Sequence, residues 1–400
     1  MQQKSYSPSI SKVKKIFFRI GILLIAIAFG TLIFWLLTIA GDKSKGPLDD
    51  LLSSANTNLS HFEKRIFDKR DNRAQQMAWF DRYRNNKKFM NAVDTILMGA
   101  YDDNTAESYE PIVALEDSLQ INLPIISIYT AWGSKKNEVF PLLRAQAIYD
   151  LGSIPMITWE PWLNDFDPEK FPVVADKLNK NKNGMKEIAE GKFDAYINEW
   201  ITSAKEYGAP FFLRFGHEMN DPYRYPWGPQ NNKPEEFIAG WRHIHDLFKA
   251  KGLDNAIWLW SPHPAYTTYP QFYPGHDYVD WIGVTSINYG TVATWSQWWS
   301  FDDIFGKFYD SASLYKKPMI VTEFASLAVG GNRAKWFADA LSNLPIKYPA
   351  VKAVVFYHTS SDNTTTYKIL DWTFEDDHDV VQAVRNSMSN WKNILKPKSF

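Results

Sequence analysis

Two hydrophobic patterns divide the chain. From Ile20 to Ala40 it runs 21 residues without a charge, IGILLIAIAFGTLIFWLLTIA. Wound as a helix, such a stretch spans roughly 30 Å, the thickness of a bilayer's hydrocarbon core. The pattern predicts a transmembrane helix over residues 20–40. Lys4, Lys12, Lys14, Lys15 and Arg19 precede it, whereas Lys43 and Lys45 behind it are offset by Asp42, Asp49 and Asp50. That bias predicts a cytoplasmic N-terminus over residues 1–19 and an extracytoplasmic remainder. A cleaved signal peptide is the rival reading, but the apolar run exceeds the ~7–15 residues usual for its core. Residues 41–84 read as a polar stalk and lead-in helix.

Beyond residue 85 the pattern changes to short apolar runs separated by amphipathic stretches. The runs are Thr95–Ala100, Pro124–Tyr129, Ile154–Trp159, Pro210–Phe215, Ala256–Trp260, Trp281–Ser286, Pro318–Thr322 and Ala353–Tyr357. Each is β-branched or aromatic and lacks the alternation of a half-exposed strand, as expected of parallel strands buried on both faces. Between them lie helical patterns such as Phe193–Tyr207 and Glu235–Ala250, the second bracketed by Pro234 and Lys251-Gly252. Eight strand–helix repeats within residues 85–395 predict an α/β fold, a (β/α)8 TIM barrel. A doubly wound open sheet is the structural alternative, but no G-x-G-x-x-G loop follows the first strand.

Composition narrows the function. With 44 basic and 45 acidic side chains the formal net charge is −1, so no global field exists to attract nucleic acid. The absence of cysteine excludes disulfides, thiolate metal sites and cysteine catalysis. The 17 Trp and 20 Tyr are the unusual feature: flat rings with polar tips suit surfaces that meet wet ligands.

A barrel carries its site at the C-terminal strand ends. There the sequence places Tyr101-Asp102-Asp103, Glu160, His217-Glu218-Met219-Asn220, Ser261, His263, Asn288-Tyr289, Glu323 and His358. Glu218 and Glu323 end strands four and seven, 105 positions apart. Hydrolysis of a glycosidic bond with retention needs two such carboxyl groups about 5–5.5 Å apart, one protonated and one ionised. The competing structural reading pairs Glu218 with Arg214 in a salt bridge. A zinc-protease motif is rejected because position 221 is Asp rather than His, and no G-x-S-x-G elbow exists for an esterase. The chemistry calls for no metal or organic cofactor.

The runs R-F-G-H-E-M-N (Arg214–Asn220), P-W-G (Pro226–Gly228), I-N-Y (Ile287–Tyr289) and V-T-E-F (Val321–Phe324) together resemble glycoside hydrolase family 26. The resemblance runs from about residue 90 to 380 and implies a barrel glycosidase with catalytic glutamates on strands four and seven. It implies Glu218 as general acid/base and Glu323 as nucleophile. His217, Tyr289 and Arg214 would orient the nucleophile, and Trp227 would be a sugar platform. Trp159, Glu160, Asn220, Tyr225, Trp260 and His358 are expected to contact substrate, with Trp298, or its neighbours Trp295 and Trp299, as a subsite wall. One departure bears on substrate. Where the family's mannanases carry a tryptophan-rich run, this chain has D-P-Y-R-Y-P-W-G, from Asp221 to Gly228, whose ending is more like the β-glucan-cleaving members. The expected function is a membrane-anchored retaining endo-β-glycanase acting on a β-mannan or β-1,3-1,4-glucan type of polysaccharide. The second reading is a membrane-tethered, non-catalytic glycan-binding scaffold of a polysaccharide synthesis or export complex.

Overall fold

A computed structural model describes residues 73–394, except 107, 136, 137, 168, 170–178, 294, 295 and 367. The expected membrane span, with its cytoplasmic flank and most of the stalk, lies outside the described residues. Among the described residues no helix is long and apolar enough to cross a membrane. The chain divides after Glu63, and the barrel belongs to the second unit, Lys64–Phe400.

Eight parallel strands close in sequence order: β1 (Leu97–Tyr101), β2 (Ile125–Ala131), β3 (Ile154–Glu160), β4 (Phe211–Phe215), β5 (Ala256–Trp260), β6 (Trp281–Asn288), β7 (Met319–Ser326) and β8 (Val351–Tyr357). Each expected apolar run overlaps one of them, and most of the strands extend past the run, β7 by four residues. The helix Pro234–Ala250 shows why the connections fold as they do. Proline opens it where no intrahelical partner is needed, and the Glu236 carboxylate accepts from the Lys233 amide at 2.8 Å. Phe237, Trp241, Ile244 and Phe248 then recur on one face and are buried against the sheet.

Side-chain parity along each strand separates two apolar layers. Leu97, Ile125, Met156, Phe212, Leu259, Ile320 and Val355 point into the barrel, whereas Ile128, Trp159, Leu213, Trp258, Trp260 and Val321 point out toward the helices. The lead-in segment forms three short helices, Arg73–Met77, Asp81–Arg84 and Lys87–Asn91. Their Met77, Phe80, Tyr83 and Met90 join the inward layer and plug the lower end of the barrel. The opposite end, where the strands terminate, is left for polar side chains.

Candidate active site

At that upper end the inward positions turn polar. Tyr129 continues the parity of Ile125 on β2, Glu160 that of Met156 on β3, and Arg214 that of Phe212 on β4. Glu323 needs more than parity. The pairing of β6 with β7 slips between Val284 and Thr285, so that Val284 faces Val321 but Thr285 faces Glu323. This bulge re-aims β7 and brings Glu323 to the inner side, where Arg214 meets it.

Arg214 is fully buried and organises the floor of the mouth. Its Nη1 donates to Glu323 Oε1 at 2.6 Å and to the Tyr129 hydroxyl at 3.1 Å; its Nε reaches Ser261 Oγ and its Nη2 reaches Thr285 Oγ1, both at 3.1 Å. Tyr129 in turn donates to the same Glu323 oxygen at 2.8 Å. Two donors, one of them cationic, thus meet on one oxygen and fix the carboxylate in place. Burial and the Glu323 charge push the Tyr129 phenol well above its usual range, so it stays a donor.

Glu218 sits on a sharp turn. Gly216 and Glu218 both adopt positive φ, +49° and +52°, on either side of His217. The Glu218 amide donates to the Ser261 carbonyl at 2.7 Å, fixing the turn against β5. Its side chain is buried, yet Oε2 has no hydrogen-bond partner. The closest charge to that oxygen is Arg224, whose Nη1 lies 3.8 Å away. Burial raises the Glu218 carboxyl, but His263, Arg224 and Arg214, with a hydrogen bond from Thr285, outweigh it and leave it below its usual range. Glu160 behaves oppositely: burial pushes it up to about 7 against the pull of the Trp162 indole and Arg214. The Trp162 Nε1 donates to its Oε2 at 3.2 Å.

Glu218 forms part of the wall of a cavity of about 860 Å³, lined also by His263, Tyr266, Thr285, Tyr289 and Trp299. That volume suits a few sugar rings rather than a water cluster. Donor atoms of Glu218, Asp221 and His263 lie within 4.8 Å of one another, a spacing open to a cation. The Arg224 guanidinium beside Glu218 opposes one there.

Three comparisons bear on what this mouth is. The model of glycosyl hydrolase family 26 matches residues 154–366, which include Glu160, Arg214, Glu218 and Glu323. The chain belongs to this family. It is similar to endoglucanase H of Acetivibrio thermocellus, with 32% identity over 293 residues, 71% of this chain and 29% of that protein. A mannan endo-1,4-beta-mannosidase of Bacillus subtilis is 27% identical over 175 residues, 41% of this chain and 44% of the relative. The chain therefore spans less than half the length of either. Among solved structures, a mannanase of Bacillus subtilis superposes with a TM-score of 0.52 at 19% identity, covering 72% of this chain and 84% of that one. A beta-mannanase of Bacteroides ovatus gives 0.53 at 16% identity, covering 76% and 91%. These two likenesses are of fold.

Several residues expected at this family site have other work. Trp159 is fully buried on the outer side of β3, stacked on Trp200 with ring centroids 4.3 Å apart. Trp260 faces out from β5 onto Tyr273 and Tyr315. Neither can touch a sugar, because odd and even positions of a strand face opposite ways. His358 is buried between Asp102, at 3.5 Å, and Glu375, at 2.7 Å. Asn220 uses its whole amide on the loop after β5: it donates to the His263 and Tyr266 carbonyls and accepts from the His263 amide. Trp227 is buried too; its indole donates to the His217 carbonyl, and Tyr225 stacks over it at 4.8 Å. Tyr225, half-buried, is the less buried ring of the two. Trp298 wedges over Gly331, while its neighbour Trp299 reaches the cavity. Trp295 lies outside the described residues.

Of the partners expected for Glu323, Arg214 meets it, and the other two have different contacts. Tyr289 places its hydroxyl 3.2 Å from Thr365 Oγ1, and His217 Nδ1 is buried without a hydrogen-bond partner. Burial, then the charges of Arg214 and Arg224, hold the His217 imidazole well below its usual range, hence neutral. The hydroxyl that reaches Glu323 is that of Tyr129. Nor does Arg214 pair chiefly with Glu218, since its short contact is to Glu323.

Proposed function

We propose that this protein is a retaining endo-β-glycanase in which Glu323 attacks the anomeric carbon and Glu218 protonates the leaving oxygen. The carrying observation is the asymmetry between the two carboxyls. Glu323 is clamped by Arg214 and Tyr129, whereas Glu218, a residue of the cavity wall, keeps an oxygen without a hydrogen-bond partner. Attack forms a covalent glycosyl-enzyme as the leaving sugar takes the Glu218 proton. Ionised Glu218 then removes a proton from water, whose oxygen displaces Glu323. The polymer is a β-mannan or a mixed-linkage β-glucan; the likeness to an endoglucanase over most of the barrel favours the glucan. The chain acts from the outer side of a membrane, tethered by residues 20–40, as their charge-free apolar run supports.

The test measures reducing-sugar release from β-mannan, mixed-linkage β-glucan, cellulose and xylan, with Glu218→Ala and Glu323→Ala beside the parent. Azide separates the two roles. On an aryl glycoside whose leaving group departs without a proton, it should restore turnover to Glu218→Ala with a product of retained configuration, and to Glu323→Ala with an inverted one. Binding without Glu323-dependent cleavage of any polymer would instead favour the scaffold reading.

A further inference from the structure

Arg224 has no part in the double displacement, yet it stands at the reacting centre. It lies in the run D-P-Y-R-Y-P-W-G after β4, and its side chain is 32% exposed. From there it reaches the segment after β8, donating through Nη2 to Thr364 Oγ1 at 3.2 Å and Thr365 Oγ1 at 3.0 Å. Its guanidinium carbon is 5.4 Å from the Tyr225 ring centroid. Nη1, as noted, is 3.8 Å from Glu218 Oε2, near enough to attract and too far to hydrogen-bond. Lys307 lines the same cavity with Arg224 and Thr365.

The charges of this arrangement do not balance in the working state. Arg214 is matched by Glu323 at 2.6 Å, whatever Glu218 does. The closest carboxylate to Arg224 is Glu218, and that group must hold a proton when it acts as the acid. On protonation Glu218 becomes neutral and Arg224 keeps its charge. The other acids of the cavity wall are engaged locally: Asp221 Oδ1 accepts from the Tyr223 amide, and Asp303 Oδ2 caps a helix through Ser300. A cation left beside a general acid favours its ionised form and so depletes the protonated state as soon as it is needed. A second anion, brought by the substrate, removes the conflict. It would take the guanidinium as its partner and let Glu218 hold its proton.

We propose that Arg224 is the receptor for a carboxylate on the substrate, so that the natural polymer is an acidic β-glycan. The carboxylate belongs to a sugar beside the scissile bond, because the cavity that Arg224 and Lys307 border has the proton donor in its wall. The inference rests on the assignment of Glu218 as the acid.

The probe is mixed-linkage β-glucan, native or oxidised at C6 so that a fraction of its residues are glucuronates, with the full chain in detergent. The expected result is a kcat/KM about tenfold or more higher on the oxidised polymer, as a charge-assisted contact supplies. The preference shrinks as salt is raised. Arg224→Gln should bring the ratio close to one by losing rate on the oxidised polymer, and Arg224→Lys should keep part of it. The pH profile gives a reading that a merely structural strap would not move. On the oxidised polymer the alkaline limb of kcat should lie higher in pH than on the native one, and this difference should vanish in Arg224→Gln.

Glu323-dependent cleavage of both polymers at equal rates would overturn the acidic substrate and leave the glycanase standing. A preference that survives Arg224→Gln would overturn the role of Arg224. If neither polymer is cleaved, calorimetry with glucuronate-bearing and neutral oligosaccharides decides. Tighter, Arg224-dependent binding of the acidic one upholds the receptor while the hydrolase reading fails, and equal binding overturns both.

Discussion

Each carboxyl at the mouth has its chemistry set by what surrounds it within a few ångströms. Among the described residues, Arg214 and Tyr129 are the side chains that donate to Glu323 Oε1. Tyr129→Phe removes one of them without changing shape. It should lower kcat about 5- to 30-fold with little change in KM, as loss of one hydrogen bond to an ionised group does; steady-state kinetics on the cleaved polymer checks it. Glu160 invites a stability measurement. Its folded value of about 7 is above the ordinary carboxyl value of 4.5, so the folded state binds the extra proton. Stability is therefore lost as pH rises from about 4.5 to 7, and the loss is complete above that window. Glu160→Gln mimics the protonated form. It should leave the melting temperature unchanged near pH 4 and raise stability at pH 8 by roughly 1–3 kcal/mol, read by denaturant unfolding at both pH values.

The turn that follows β4 and the bulge between β6 and β7 are the two irregularities that deliver the carboxyls. Gly216 has φ +49°, and a Cβ there would come 3.2 Å from Phe237 Cε2. Gly216→Ala should therefore strain the turn and press on the helix beneath it. An expected cost of about 1–2 kcal/mol would appear as a lower midpoint in urea, with activity falling further than stability because Glu218 is displaced. The regular stretches were legible from sequence for a local reason. A strand buried on both faces must be apolar throughout, so each of the eight runs announced itself. Parity within the runs held more than composition did. Trp258 and Trp260 share a face, and Trp159 shares one with Ile157; that face looks away from the site. Tyr129, two residues beyond Ser127 and four beyond Ile125, shares the inward face, a signal that a tyrosine in an apolar strand hides among core residues.

At the scale of the whole molecule, the paired carboxyls predict a bell-shaped kcat/KM against pH, since one must be protonated and the other ionised. The proposed mechanism requires the acid form of Glu218, and the cations around it outweigh burial to lower its range. The alkaline limb for a neutral polymer should consequently sit at or below the ordinary carboxyl range, and Arg224→Gln should move it up. A profile flat between about pH 4 and 8 would count against the two-glutamate mechanism. For the tether, the full chain should stay with membranes through an alkaline carbonate wash, and deletion of residues 20–40 should release it.

The sequence by itself determined the alternation of strands and helices, the count of eight, and the placing of Glu218 and Glu323 at strand ends. These follow from short-range burial and from the motif around each carboxyl. Only the tertiary structure decided who touches whom. Arg214 and Glu323 are 109 positions apart, and Arg214 and Tyr129 are 85 apart. The order of elements does not encode such contacts locally; they arise when the barrel closes and a one-residue slip between β6 and β7 turns one carboxylate inward. The reach of Arg224 across to Thr364 and Thr365 has the same origin. It joins two loops that become neighbours only because the strands beneath them form a ring.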